Sequence, residues 1–222
     1  MSINNNAVFH PAAAIFDMDG LMLETERPLI PLWIQAGKSF DRDISSEMVI
    51  RTIGLNAGDI RALCIRELGS DFPYDAFHEV LGKLVNQEFE KGIAHKPGLL
   101  KILGHFSSLG IPLAVATSSS SEKAVWRLRK AGIYERFAAI AGGDEVKQGK
   151  PAPDVFLLAA KKLGKEPSLC VGFEDSPAGL QGLHSAGIRS VFVKDIIEPP
   201  EKILSTVWHR CNDLAEAVKL FN

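Results

Sequence analysis

The chain has 222 residues, enough for one large domain or for a core with a second unit inserted in it. Hydrophobic residues make up 46% and charged residues 23%, and the formal net charge of −2 offers no clustered basic footprint for nucleic acid. Three cysteines without a Cys-x-x-Cys spacing indicate neither a disulfide framework nor a zinc knuckle; with no basic-then-apolar leader in MSINNNAVFH and no run near ~20 apolar residues, the expectation is a cytoplasmic chain with neither membrane nor nucleic acid as partner.

Residues 1–11 are polar, end at Pro11 and read as a loose lead-in. Ala13 to Phe16 is a short apolar run of the kind a fully buried strand shows, and Asp17-Met18-Asp19-Gly20 follows it directly. Side chains two apart on an extended segment point the same way, so Asp17 and Asp19 are expected to share one site at the carboxyl edge of a sheet. Two carboxylates that close repel unless a cation or proton lies between them.

From Leu21 to about Ala94 the pattern is helical. The first helix is expected over Ile30–Ala36, after Pro28 and Pro31, and the second over Ser45–Ile53 with Ser45 or Ser46 as cap. Ile60, Leu63, Cys64 and Leu68 keep a helical period that Gly69 ends, and Phe77, Leu81, Leu84, Val85 and Phe89 fall on one face of a segment from Tyr74 to Phe89.

Strands return after Lys96-Pro97-Gly98 and alternate with helices, which predicts a parallel sheet with crossover helices. The order is helix Leu99–Leu109, strand Ile111–Ala116, helix Ser121–Ala131, strand Phe137–Ala141, a helix opened by Pro153, strand Ser168–Phe173, helix Pro177–Ala186, Ser190–Val193 as the last clear strand, and a closing helix Asp213–Phe221. The sheet is thus interrupted by a helical insertion over residues 21–95, which sits over the carboxyl end of the first strand and is a candidate lid.

In a parallel sheet the ends of these strands converge on one crevice. Beside Asp17 and Asp19 it would gather Thr117-Ser118-Ser119, Lys150 within Gly149-Lys150-Pro151, and Glu174-Asp175-Ser176: carboxylates, hydroxyls, backbone N–H groups and one ammonium. Each has a plainer reading. Asp-x-Asp-Gly alone is a turn signal, Ser120 and Ser121 suit a helix cap, Lys150-Pro151 a solvated loop, and Glu174-Asp175 the first turn of a helix. The six histidines, with no metal spacing, point to packing or surface positions.

Taken in order, Phe-Asp17-Met-Asp19-Gly, Ala-Thr117-Ser-Ser, Gly-Lys150-Pro-Ala-Pro-Asp154 and Phe-Glu174-Asp175-Ser-Pro-Ala-Gly179 resemble the four motifs of the haloacid dehalogenase-like (HAD) hydrolase superfamily, over Ala13 to Val193. The helical insertion after the first motif is similar to the subgroup that holds β-phosphoglucomutase and small sugar-phosphate phosphatases. The resemblance implies an α/β fold, a Rossmann-like three-layer parallel-sheet core over residues 1–20 and 96–222, with an all-helical cap over 21–95. It implies a phosphoric monoester hydrolase in which Asp17 is the nucleophile of an aspartyl-phosphate intermediate and Asp19 the general acid and base. Magnesium would be held by the side chains of Asp17 and Asp175 and the backbone carbonyl of Asp19, with Glu174 close by.

By the same resemblance Thr117 and the Ser118 backbone N–H bind the phosphoryl group, Lys150 neutralises its charge, and Asn56 faces the substrate, with Arg51 and Glu24 as further candidates to reach in; for Arg51 a solvated helix face is the preferred reading. The expected partner is a small phosphorylated metabolite, a sugar or polyol phosphate, and the expected state a monomer. A phosphosugar mutase is the alternative, but the arginine and histidine usual in mutases are replaced by Ala57 and Leu29, and the aspartate usual before Thr-Glu by Glu24. A phospho-acceptor signalling domain would carry its acceptor on a later strand of a shorter chain. Haloacid dehalogenation fits poorly with Asp19 and the Glu174-Asp175 pair.

Overall fold

The computed structural model describes residues 9–55 and 57–221. Among them a parallel sheet of six strands runs β1 (Ala13–Phe16), β2 (Leu113–Ala116), β3 (Ala139–Ala141), β4 (Cys170–Glu174), β5 (Arg189–Val193) and β6 (His209–Cys211), in spatial order 3-2-1-4-5-6. β1 pairs with β2 on one side and β4 on the other, so the chain reverses its winding beside β1 and the crevice opens at that strand's carboxyl end.

The alternation along β1 assigns its side chains to two layers. Ala14 and Phe16 face α5 (Leu99–Ser108) and the C-terminal segment, where Phe16 stacks on Phe173 at 4.6 Å between ring centres and meets Phe106 edge-on. Ala13 and Ile15 face α7 (Asp154–Lys162) and α8 (Pro177–Ser185), with Val155, Phe156, Ala159, Ala160 and Leu183. Each of the buried phenylalanines contributes roughly 1.5–3 kcal/mol by leaving water. α6 (Ser121–Lys130) packs on the same side as α5.

Between β1 and α5 lie α1 (Glu26–Lys38), α2 (Ser46–Ile50), α3 (Ala57–Leu68) and α4 (Tyr74–Glu90). They gather round Phe77, whose ring is 5.2 Å from both Trp33 and Phe72. The two linkers to this helical segment run side by side: Glu24 donates its N–H to the Ala94 carbonyl and Lys96 to that of Met22. α4 rests on α6 through the Lys130–Glu90 ion pair and the Arg127 guanidinium over the Phe89 ring, and His95 bonds the Ala131 carbonyl just past the end of α6.

Several sequence expectations are corrected. α1 starts at Glu26 and continues through Pro31 to Lys38 instead of beginning after the prolines; Pro28 occupies the first turn, where an N–H has no helical acceptor to lose. α2 stops at Ile50 and Arg51–Gly54 form turns, although Ser45 does cap it by accepting from Met48. Ser168 and Leu169 belong to a 3-10 turn opened by Pro167, so β4 begins at Cys170. Val193 does not end the sheet. A short helix α9 (Glu201–Leu204) and β6 follow, β6 being an edge strand of three residues with two exposed, too short and polar to show a period. The closing helix is α10 (Leu214–Ala217), finishing as a 3-10 turn at Phe221. All three cysteines are free thiols and buried. No helix of the described residues is long and apolar enough to cross a membrane.

Candidate active site

Asp17 leaves β1 with its N–H bonded to the Phe173 carbonyl of β4, which fixes the backbone at the sheet edge, and the residue is 7% exposed. Glu174 ends β4 beside it. One oxygen of Glu174 accepts from the backbone N–H groups of Asp175 and Ser176 and from the Ser176 hydroxyl, at 2.8–3.0 Å; the other accepts from Lys150 at 2.5 Å. Ser176 also caps α8 by accepting from Gly179. The Lys150 ammonium touches Asp17 too, and so bridges two of the acids.

Asp17, Glu174 and Asp175 each offer an oxygen within 4.8 Å of the others. Burial lifts the Asp17 carboxyl well above the usual carboxylate range, with Lys150 opposing and Glu174 adding to the rise. Burial, then Glu174 and Asp17, do the same to Asp175. Burial also disfavours the Lys150 cation, but the two carboxylates outweigh it and push Lys150 above the ordinary lysine value. One ammonium therefore touches two of three buried carboxylates, and among the described residues Asp175 Oδ1 has no hydrogen-bond partner. Hard oxygen donors with surplus negative charge and a buried lone pair to spare fit a divalent cation of the oxygen-seeking kind.

Thr117 follows β2, buried, its hydroxyl accepting from the Ser119 N–H at 3.1 Å. The backbone N–H groups of Met18, Asp19 and Ser118 donate to no described group. These three donors line the turns after β1 and β2, and an anion placed there would satisfy them. Residues 17, 117, 150, 174 and 175 thus meet at the carboxyl edge as the motif order predicts.

One site expectation changes. Asp19 does not share its carboxylate with Asp17. It accepts from the Thr25 hydroxyl at 2.9 Å, Arg127 at 2.5 Å and the Ser119 hydroxyl at 3.1 Å, none of them a member of the acid cluster. The alternation rule fails here because the chain is already turning into Gly20, whose φ is 86°. Arg51 forms a two-pronged ion pair with Glu67 of α3. Asn56 lies outside the described residues. Glu24 sits at the linkers, paired with Arg27 and Lys96, both of which also hold Asp195.

Arg127, Thr25 and Glu26 were not anticipated. A signal for Arg127 was present: it falls on the apolar stripe of α6 with Ala124 and Leu128, where an arginine needs a buried partner.

The family model for haloacid dehalogenase-like hydrolases matches residues 11–187. The phosphorylated carbohydrates phosphatase of Thermotoga maritima is 29% identical over 180 residues, 81% of this chain and 83% of its own. The fructose-1-phosphate phosphatase YqaB of Escherichia coli is 31% identical over 183 residues, 82% of this chain and 96% of its own. Among solved structures, CbbY from Rhodobacter sphaeroides in complex with phosphate superposes with a TM-score of 0.81 at 27% identity, covering 93% of this chain and 96% of that one.

Proposed function

The chain belongs to the haloacid dehalogenase-like hydrolases, and from that premise we propose that it is a magnesium-dependent phosphatase of a small phosphorylated metabolite, a sugar or polyol phosphate. The observation that carries the reading is the buried cluster of Asp17, Glu174 and Asp175 around one lysine, next to three unpaired backbone N–H groups. A carboxylate nucleophile with cationic and N–H partners suits attack on a phosphate dianion, a reaction that depends mostly on positioning and charge.

In this reading Asp17 Oδ attacks phosphorus and the ester oxygen departs, giving an aspartyl phosphate. Asp19 gives its proton to the leaving oxygen, then takes one from the water that attacks the aspartyl phosphate, and inorganic phosphate leaves. Thr117, the N–H groups of Met18, Asp19 and Ser118, and Lys150 grip the phosphoryl oxygens. Asp17, Asp175 and the Asp19 carbonyl, with Glu174 beside them, would hold magnesium, which when bound would supply positive charge to screen the dianion from Asp17. Residues 1–20 and 96–222 act as the catalytic core and 21–95 as a lid that selects the organic part of the substrate and excludes water. The names of the relatives, phosphatases of phosphorylated carbohydrates and of fructose 1-phosphate, support a carbohydrate substrate.

A screen of phosphorylated metabolites with purified protein tests this. Phosphate release should require magnesium, stop with EDTA and vanish in Asp17→Asn. Release that persists with EDTA, or isomerisation outrunning release when a sugar bisphosphate is added, would overturn it.

A further inference from the structure

The position of Asp19 raises a question that the core motifs do not answer. Its carboxylate is held away from Asp17 by Thr25, Ser119 and above all Arg127, whose side chain is 4% exposed. For Asp19 to reach a substrate oxygen it must give up that guanidinium. A buried guanidinium without a counter-charge is strongly unfavourable, so release of Asp19 needs another anion to take its place.

The structure offers one. Glu26 opens α1 one residue after Thr25, half-buried, with no hydrogen bond or ion pair to any described residue. It lies within electrostatic reach of both Asp19 and Arg127. Burial, reinforced by the Asp19 charge and opposed by that of Arg127, raises its carboxyl to about 7. Arg127 for its part touches the helical segment a second time, its guanidinium centre standing 5.5 Å from the ring centre of Phe89 on α4. The cation is therefore placed between the sheet-side acid it holds and two elements, α1 and α4, of the segment above.

We propose that Arg127 is a positioning residue that makes release of Asp19 conditional, and that Glu26 is the carboxylate that receives the guanidinium when Asp19 turns to the substrate. The exchange forms and breaks no covalent bond: Arg127 moves from one carboxylate to the other, and the phosphate transfer proceeds on Asp17 and Asp19. It rests on the reading of Asp19 as acid and base given above, and it ties that residue's availability to α1 and α4.

The two residues then have opposite signs. Without Arg127 only the Thr25 and Ser119 hydroxyls restrain Asp19; without Glu26 nothing relieves Arg127. With p-nitrophenyl phosphate as the probe, Arg127→Met should raise kcat at least threefold, Glu26→Gln should lower it at least threefold, and the double variant should behave as Arg127→Met, with KM within twofold of wild type throughout. A packing role would lower kcat in both single variants. Should Arg127→Met melt below the assay temperature, Arg127→Lys takes its place with the same sign required, since a single ammonium holds Asp19 and Ser119 less well. A folded Arg127 variant at or below wild-type rate, an unchanged Glu26→Gln, or effects that multiply in the double variant would overturn the proposal. Wild-type turnover that survives Asp17→Asn would instead defeat the underlying phosphatase reading, so the two failures are separate.

Discussion

The Lys150 ammonium lies 2.5 Å from Oε1 of Glu174, with 3% of the lysine side chain and none of the glutamate exposed. It also touches Asp17, so its removal leaves three buried carboxylates with no cation among them. Breaking a buried ion pair from one side costs about 3–5 kcal/mol. In a chain of this size that is a drop of roughly 10 °C in melting temperature. Lys150→Met should show such a drop in EDTA, should recover part of it when magnesium is added, and should lose at least ~100-fold in kcat, as the loss of one charge-stabilising donor does elsewhere. Thermal melts with and without the ion check the first two outcomes and steady-state rates the third.

Asp175 should give the opposite sign for stability. Its Oδ1 is buried without a partner, and its neighbours Glu174 and Asp17 are like charges. Asp175→Asn removes one of three mutually repelling charges while keeping the shape of the side chain. Without metal the variant should melt above wild type by a few degrees, on the order of 1 kcal/mol, yet lose magnesium-dependent phosphate release. A variant less stable than wild type in EDTA would mean that Asp175 braces the fold instead of waiting for a cation.

Two glycine-to-alanine changes separate the site from its scaffold. A Cβ on Gly179 would stand 1.7 Å from Oε1 and 2.0 Å from Cδ of Glu174, so alanine there drives the glutamate off Lys150 and off the N–H groups that hold it. On Gly82, within α4, a Cβ meets nothing within 4 Å. Gly179→Ala should therefore lower the melting temperature and abolish turnover, while Gly82→Ala should raise stability by about 0.5–1 kcal/mol through reduced backbone freedom of the unfolded chain and leave turnover unchanged. Parallel melts and assays of the two proteins read both signs.

The core of this molecule was legible in the sequence where local pattern and tertiary role coincide. Ala13–Phe16 is buried on both faces and reads as an unbroken apolar run, and Gly110, Gly132 and Gly187, at the ends of helices, have the positive φ that such stops need. The acid cluster was legible because each of its members sits at a strand end with a turn residue behind it. What escaped was set by partners distant in sequence. The direction of the Asp19 carboxylate depends on Arg127, 108 residues further on, and on Thr25 across a turn, neither of which an alternation rule can see. The prolines of α1 misled for the reverse reason: a local breaker was overridden by the burial of Trp33 and Ala36 against the neighbouring helices. β6 has so few residues that only its pairing with β5 defines it.

Glu145 braces the loop after β3 and gives a prediction in pH. Its carboxylate takes an ion pair from Lys162, a bond from the Ser121 hydroxyl at 2.6 Å and one from the Gly142 N–H at 3.0 Å, joining α7, the start of α6 and the loop. The Lys162 contact first, then Ser121 and Gly142, hold its carboxyl down at about 2, against an ordinary value of 4.5. A carboxyl lowered on folding contributes stability that is complete above 4.5 and fades as pH falls from there toward 2, because the unfolded chain then binds the proton that the folded one refuses. With about a third of both side chains open to water, solvent screening reduces the full linkage value to roughly 1 kcal/mol. Glu145→Gln should thus melt a few degrees below wild type at pH 7, and the gap should narrow steadily between pH 4.5 and 2. The same loop places Gly143 against the Ser118 carbonyl and bonds its N–H to Ser119, so the variant should also raise KM for the phosphorylated substrate more than it lowers kcat. A stability gap independent of pH would mean that the amide replaces every bond of the carboxylate and that its charge contributes nothing.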